Sequence, residues 1–374
     1  MTIDGRLADG RHVRVELDGP RIAAVRETRD APDVLILPGL VDLQVNGYGG
    51  YDFNAAGLST GDVADLVREL RRRGTTTLCP TIITAPEDKI TRNLAVIAAA
   101  RAADPLVAHA IPALHVEGPY LAPEDGPRGA HDAGHLRDPD LAEFGRWQEA
   151  SGGLVKIVTL APERAGAAGY IAELARQGVI VSIGHTAAEP AAIEAAVRAG
   201  ARLSTHLGNG AHAMIRRHPN YIWAQLAEDR LTASFIADGH HLPADTFTAM
   251  LRAKGIGRAV LVSDSVALAG CAPGDYTTPV GGRITVGEDG RVTLPGGELL
   301  AGSGSSLIEC VGWAVTRTEV DLGTAVTLAA ANPARLLGTG RGRIEPGAPA
   351  DLIVTTPGLS VLHTYVNGVH VHTT

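Results

Sequence analysis

The sequence predicts an α/β protein: a (β/α)8 TIM-type barrel over residues 38–341, carrying a small β-sandwich domain built from both chain ends, residues 1–37 and 342–374. Three observations carry that expectation. Short apolar runs alternate with helix-period segments through the middle of the chain, eight such runs are present, and the two chain ends share the period-2 alternation of exposed strands. A doubly wound sheet is the competing architecture, but no dinucleotide-type glycine fingerprint follows the first barrel strand.

At the N-terminus, "HVRVEL" (12–17) and "RIAAVRE" (21–27) flank the turn Asp18-Gly19-Pro20, and "DVLILPG" leads into the barrel. Strand-like runs follow near 41–46, 76–83, 108–116, 154–160, 179–184, 202–206, 231–237 and 259–263. Between them, "GDVADLVRELRRRG" places Val63, Leu66, Val67 and Leu70 on one helical face, and "AEPAAIEAAVRAG" has the same period. Residues 267–300 break the rhythm with "GGRITVGEDGRVTLPGG", a hairpin on the side where barrel loops build active sites. The last 33 residues alternate again and contain Asn367-Gly368, a favoured hairpin turn.

A chain of 374 residues with 45% hydrophobic content supports one large core, and aromatics at 4% leave that core to Ala, Val, Leu and Ile. The net charge of -8 argues against a nucleic-acid surface but leaves room for a small anion held by one or two local cations. Cys79, Cys271 and Cys310 are odd in number and far apart, the pattern of reduced thiols in a cytoplasmic protein. "MTIDGRLADG" has neither a basic nor an apolar signal region, and no apolar run approaches the ~18 residues of a membrane span, so the expected location is the cytoplasm.

The chemistry-bearing residues stand at strand ends. Glu117 closes "AIPALHVE", His185 closes "VIVSIGH", His206 closes "RLSTH" and Asp264 closes "AVLVSD". Each alone reads as a capping or loop residue. A barrel, however, gathers its strand ends on one ring, so the four converge on a single mouth. Glu-His-His is a three-ligand set that leaves a fourth position for water on zinc, the first expectation, with ferrous iron also suited, and Asp264 remains free as a base.

"PGLVDLQVNGYGG" (38–50), "LHVEGPYL" (114–121), "GHTAA" (184–188), "STHLGNG" (204–210), "FIADGHHL" (235–242), "LVSD" (261–264), "LAGSGSS" (300–306), "NPARLLG" (332–338) and "GAPADLIV" (347–354) together resemble the N-acetylglucosamine-6-phosphate deacetylases of the amidohydrolase superfamily, in order and spacing. The resemblance spans nearly the whole chain. It implies hydrolysis of the N-acetyl group of an amino sugar 6-phosphate, one divalent metal per subunit and a homodimer. Glu117, His185 and His206 match the metal ligands and Asp264 the acid/base. His131 matches a contact near the scissile amide, Ala130, Asn209 and Gly210 further substrate contacts, His241 a residue near the phosphate, and Leu300, Ala301 and Gly302 a segment closing over the ligand. Arg217, with Arg216 as runner-up, matches the cation for the phosphate in "RRHPN". Alternatives are a related amidohydrolase acting on an unphosphorylated or different N-acyl amino sugar, and a non-catalytic barrel.

Other features have plainer readings. Tyr221 and Trp223 are either core residues of a helix or shapers of a sugar site; "GSGSS" (302–306) is either a serine N-cap or an anion-binding helix start. His370 and His372 have ligand spacing but belong to a terminal strand outside the barrel, and His212 and His218 read as loop histidines. Gln44 and Asn46 occupy first-strand positions where two-metal members of the superfamily carry His-x-His. Amides bind a transition metal poorly, so this pair implies one ion rather than two.

Overall fold

A computed structural model describes residues 1–278, 282–294 and 300–374. Its central sheet has eight parallel strands, each beside its neighbour in the chain: Leu40–Val45, Thr75–Ile83, Leu114–Glu117, Val155–Leu160, Ile180–Ile183, Leu203–Ser204, Thr232–Ile236 and Ala259–Val262. The eighth returns to the first, where Asp264 N–H donates to Gln44 O at 3.0 Å and Asn46 N–H to Ser265 O at 2.9 Å, which closes the barrel. Most of these strands are buried along their length because helices cover one face and the barrel interior the other; this is why they read as apolar runs rather than alternations.

The helix Thr60–Arg72 starts at a capping box between Ser59 and Asp62 and buries Val63, Leu66, Val67 and Leu70, the predicted stripe. The third apolar run divides differently from expectation. Residues Pro105–Ala110 are helical, started by the Asp104 side chain on the N–H groups of Leu106 and Val107 with proline in the first turn, and only Leu114–Glu117 is strand. The Asp-Pro start signal lay inside a stretch whose apolarity fits either structure.

Both chain ends enter one seven-stranded sheet, in the order Val369–Thr373, Val361–Val366, Leu352–Thr355, Leu35–Pro38, Thr2–Arg6, His12–Asp18, Arg21–Glu27. The seam between the ends is the antiparallel pairing of Leu35–Pro38 with Leu352–Thr355. Asn367 (φ 53°) and Gly368 (φ 76°) both adopt the left-handed conformation that their tight hairpin requires. The predicted insertion is a three-stranded antiparallel sheet, Gly274–Thr278, Gly282–Val286 and Val292–Thr293, over a small core of Leu268, Ile284, Val286 and Val292. Residues 279–281 and 295–299 of that stretch lie outside the described residues. His240, on the loop after the seventh strand, reaches the insertion with Nε2 at 3.2 Å from Asp289 O. No helix among the described residues is long and apolar enough to cross a membrane.

Candidate active site

Glu117 is the last residue of the third strand, and His185, His206 and Asp264 each stand two residues beyond the fifth, sixth and eighth. Three of the four have a left-handed backbone, with φ of 51° at His185, 29° at His206 and 48° at Asp264. That conformation is strained for a residue with a Cβ and persists only where neighbours enforce it. Here they do. Glu163 accepts from Thr186 Oγ1 at 2.6 Å and Ala187 N at 2.7 Å, just after His185. Ser234 Oγ accepts from His206 N at 2.7 Å, and Asp264 is pinned through Gln44 O and through Ser303 N at 3.1 Å.

Glu117, His185 and His206 are buried, and one donor atom of each lies within 4.8 Å of the others. Glu117 Oε1 is 3.0 Å from His206 Nε2 and 3.3 Å from His185 Nε2, separations close to the ~3.4 Å between ligands on a tetrahedral ion with ~2.1 Å bonds. His185 Nδ1 lies 2.8 Å from Pro127 O; a carbonyl only accepts, so the proton sits on Nδ1 and the Nε2 lone pair is free for an ion. The residues therefore fit a divalent metal held by one carboxylate and two imidazoles.

The first-strand amides complete the site. Gln44 Nε2 donates to Glu117 Oε1 at 3.0 Å and Asn46 Nδ2 to Asp264 Oδ1 at 2.8 Å. Each amide thus serves one carboxylate. Burial, with the Glu117 charge nearby, pushes the Asp264 carboxyl up to about 6, in the range suited to a group that takes and returns a proton near neutrality. Burial opposes ionisation of Glu117 as well, but the adjoining His185 and His206 imidazoles hold it well below the ordinary carboxylate range. Burial and the neighbouring His185 push His131 down to about 3, and burial pushes His115 down to about 4, so both imidazoles are neutral.

The remaining expected contacts divide into two groups. His131 is buried with Nε2 at 3.3 Å from His185 Nε2, next to exposed Ala130, and its Nδ1 has no hydrogen-bond partner among the described residues. Asn209 N–H donates to His206 O at 2.9 Å. Gly210 (φ 55°) admits no side chain, because a Cβ would lie 2.6 Å from His185 Nδ1. His241 Nδ1 meets Asp238 Oδ2 at 2.7 Å, and the other Asp238 oxygen accepts the N–H groups of His240 and His241. Leu300 bridges Thr293 and Ala301 N–H donates to Val292 O at 3.0 Å, so the segment ending at Gly302 borders the insertion.

By contrast, the Arg216 and Arg217 side chains are exposed and form no hydrogen bond or ion pair with any of these groups among the described residues; their carbonyls accept from Asn220 Nδ2. Tyr221 is buried and its hydroxyl meets His212 Nδ1 at 3.0 Å, whereas Trp223 is 55% exposed. Ser306 forms a capping box with Glu309 at the start of Leu307–Arg317, the plain serine cap. His370 stacks on Tyr365 in the end sheet, and His372 lies on the same strand. Sequence reasoning passed over His115, Glu163 and Asp238, although His115, two positions before Glu117 on a strand, had to share its face.

A family model described as the amidohydrolase family matches residues 35–371. The chain is 34% identical over 356 residues to the N-acetylglucosamine-6-phosphate deacetylase of Bos taurus, covering 91% of this chain and 84% of that protein. It is 33% identical over 367 residues to an N-acetylgalactosamine-6-phosphate deacetylase of Escherichia coli O157:H7, covering 97% and 93%. Its structure is similar, with a TM-score of 0.90 at 31% identity over 100% of this chain and 99% of the other, to that of a Mycobacterium smegmatis N-acetyl-D-glucosamine-6-phosphate deacetylase variant in complex with N-acetyl-D-glucosamine-6-phosphate.

Proposed function

Since the chain belongs to the amidohydrolase family, in its N-acetylglucosamine-6-phosphate deacetylase branch, we propose that it hydrolyses the N-acetyl group of N-acetylglucosamine-6-phosphate to glucosamine-6-phosphate and acetate, a step of amino-sugar catabolism. The observation that carries the reading is the buried Glu117, His185 and His206 set facing Asp264 at one barrel mouth.

A divalent metal on those three ligands, zinc foremost and ferrous iron second, would supply a water acidic enough to ionise near neutral pH and a Lewis acid for the acetyl oxygen. Asp264 takes one proton of the attacking water and returns it to the sugar nitrogen as the C–N bond breaks, so the amine leaves neutral, and the acyl product carries off the water oxygen and loses the second proton to solvent as acetate. Asn46 fixes the Asp264 carboxylate for both transfers. Neutral His131 donates to the developing oxyanion, a role supported by its Nε2 lying 3.3 Å from His185 Nε2. Ala130, Asn209, Gly210, His241 and the segment Leu300 to Gly302 hold the sugar, and Arg217 meets the phosphate, across the interface of a cytoplasmic homodimer. The catalytic barrel comprises residues 38–341, and the two chain ends form the accessory domain.

The similarity to a galactosamine-type enzyme favours a second reading that differs only at the sugar epimer. Acetate release from N-acetylglucosamine-6-phosphate, N-acetylgalactosamine-6-phosphate and N-acetylglucosamine, on one preparation with its metal content measured, tests both. The first substrate is expected to turn over fastest. Faster turnover of the second moves the assignment to the other epimer, and equal rates on the unphosphorylated sugar remove the phosphate requirement.

A further inference from the structure

Directly beneath the mouth lies a layer of buried polar side chains that the proposed chemistry does not use. His115 Nδ1 is 3.1 Å from Leu43 O and its Nε2 is 2.8 Å from Thr159 Oγ1. Thr159 Oγ1 is 2.7 Å from Thr205 Oγ1, which is 2.5 Å from Ser182 Oγ. His115, Thr159, Ser182 and Thr205 are all buried. One acceptor sets the direction of every bond. The Leu43 carbonyl only accepts, so the single ring proton of His115 is on Nδ1 and Nε2 must receive the Thr159 hydroxyl proton. Thr159 then accepts from Thr205, and Thr205 from Ser182. The chain Ser182, Thr205, Thr159, His115, Leu43 joins the first, third, fourth and fifth strands to the residue that follows the sixth.

Thr159 is the middle of that chain and touches the backbone around the ligands. It is the register partner of Glu117 on one side and of Ser182 on the other, and its carbonyl accepts from Gly118 N at 3.0 Å, just after Glu117. Gly184, just before His185, rests on the same layer: a Cβ there would lie 2.8 Å from both Thr159 Cγ2 and Thr205 Cβ. Thr205 itself precedes His206 and donates its N–H to Ile183 O at 2.9 Å.

We infer that this one-way hydrogen-bonded layer is the floor that sets the spacing of Glu117, His185 and His206, with Thr159 as its central positioning residue. The inference rests on the reading that those three residues hold a divalent metal. Thr159→Val keeps the side-chain shape, leaves His115 Nε2 and the Thr205 hydroxyl without their partner, and touches no ligand; Thr159→Ser restores the hydroxyl.

Zinc affinity measured by competition with a chelator, alongside thermal melting of the metal-free proteins, separates positioning from stability. In folded Thr159→Val the zinc Kd is expected to rise about 10-fold or more, with Thr159→Ser within about 3-fold of the parent. A Thr159→Val protein that melts earlier but binds zinc as the parent does overturns the inference, and so does a weakening that Thr159→Ser shares in full. Should Thr159→Val not fold, Ser182→Ala removes only the outermost donor; a smaller weakening in the same direction supports the floor, and unchanged affinity refutes it. A parent chain that binds no divalent ion refutes the metal reading itself, a result distinct from any of these.

Discussion

Two carboxylates in the mouth have opposite electrostatic fates although both are buried: Glu117 is held ionised by two imidazoles, whereas Asp264 keeps a proton up to about 6. That separation assigns one to the ion and the other to proton transfer. Asp264→Asn is therefore expected to lower kcat by roughly 10²-fold or more, with metal content unchanged on elemental analysis; retained turnover would remove its role. The same analysis should find about one ion per chain, since Gln44 and Asn46 are engaged as donors to the two carboxylates and amides bind a transition metal poorly. A third carboxylate gives a pH effect. Burial raises Asp42 to about 7, despite N–H donors from Ser263 and Gln44 on one oxygen, and its other oxygen has no hydrogen-bond partner among the described residues. Folded Asp42 thus keeps a proton that the unfolded chain releases near pH 4. Stability from this group is complete below that value and is lost as pH rises through about 7. Asp42→Asn retains the accepting oxygen and cannot ionise. In urea melts of the metal-free proteins it should gain roughly 1–3 kcal/mol on the parent between pH 5 and pH 8, and a constant difference would contradict the assignment.

Among the elements, the short helix Tyr221–Ala227 bears on the phosphate end. Asn220 caps it by accepting from Ile222 and Trp223 N–H at 3.1 Å each, and its amide nitrogen donates back to Arg216 O at 2.9 Å and Arg217 O at 3.3 Å. One side chain thus fixes both the helix start and the double-arginine turn. Asn220→Ala should cost about 1 kcal/mol of stability and raise KM for the phosphorylated sugar more than it lowers kcat; an unchanged KM would detach the turn from substrate binding. Legibility differed from element to element for physical reasons. Glu117, His185, His206 and Asp264 could be found because strand ends in a barrel share a ring, so sequence position implies spatial proximity. The split of 105–117 into helix and strand could not, because an apolar run is buried in either form. Nor could the hydrogen bonds from Gln44 and Asn46 to the two carboxylates, which depend on rotamers and on how the eighth strand meets the first.

At the scale of the whole molecule, the two chain ends are locked to the barrel by a buried polar seam at its N-terminal face, opposite the mouth. Asp351, just before a central strand of the end sheet, lies 2.9 Å from His109 Nε2 with both oxygens and accepts Asn367 N–H at 2.7 Å. Arg341 crosses the same gap, donating to Thr77 Oγ1 at 2.9 Å and His109 O at 2.7 Å, with Asp351 at 3.6 Å. Arg341 can only donate and stands 3.1 Å from His109 Nδ1, so the imidazole proton is on Nε2 and points to Asp351. Every partner in the seam thus has one fixed role, and the Asp351 side chain is only 2% exposed. Removing that carboxylate leaves a guanidinium in a low-dielectric gap with no counter-charge, the costly half of a broken buried pair. Asp351→Ala should therefore lose roughly 3–5 kcal/mol in denaturant melts. Because Thr77 lies near the start of its strand and Glu117 at the end of the next, the loss is not transmitted through any hydrogen bond to the ligands, and kcat at 25 °C should stay within about 2-fold of the parent while the chain remains folded. A variant of normal stability would mean that water replaces the carboxylate in the seam. A folded variant with full metal content but a collapsed kcat would mean that the end sheet sets the geometry of the mouth, and the barrel alone would no longer account for the site.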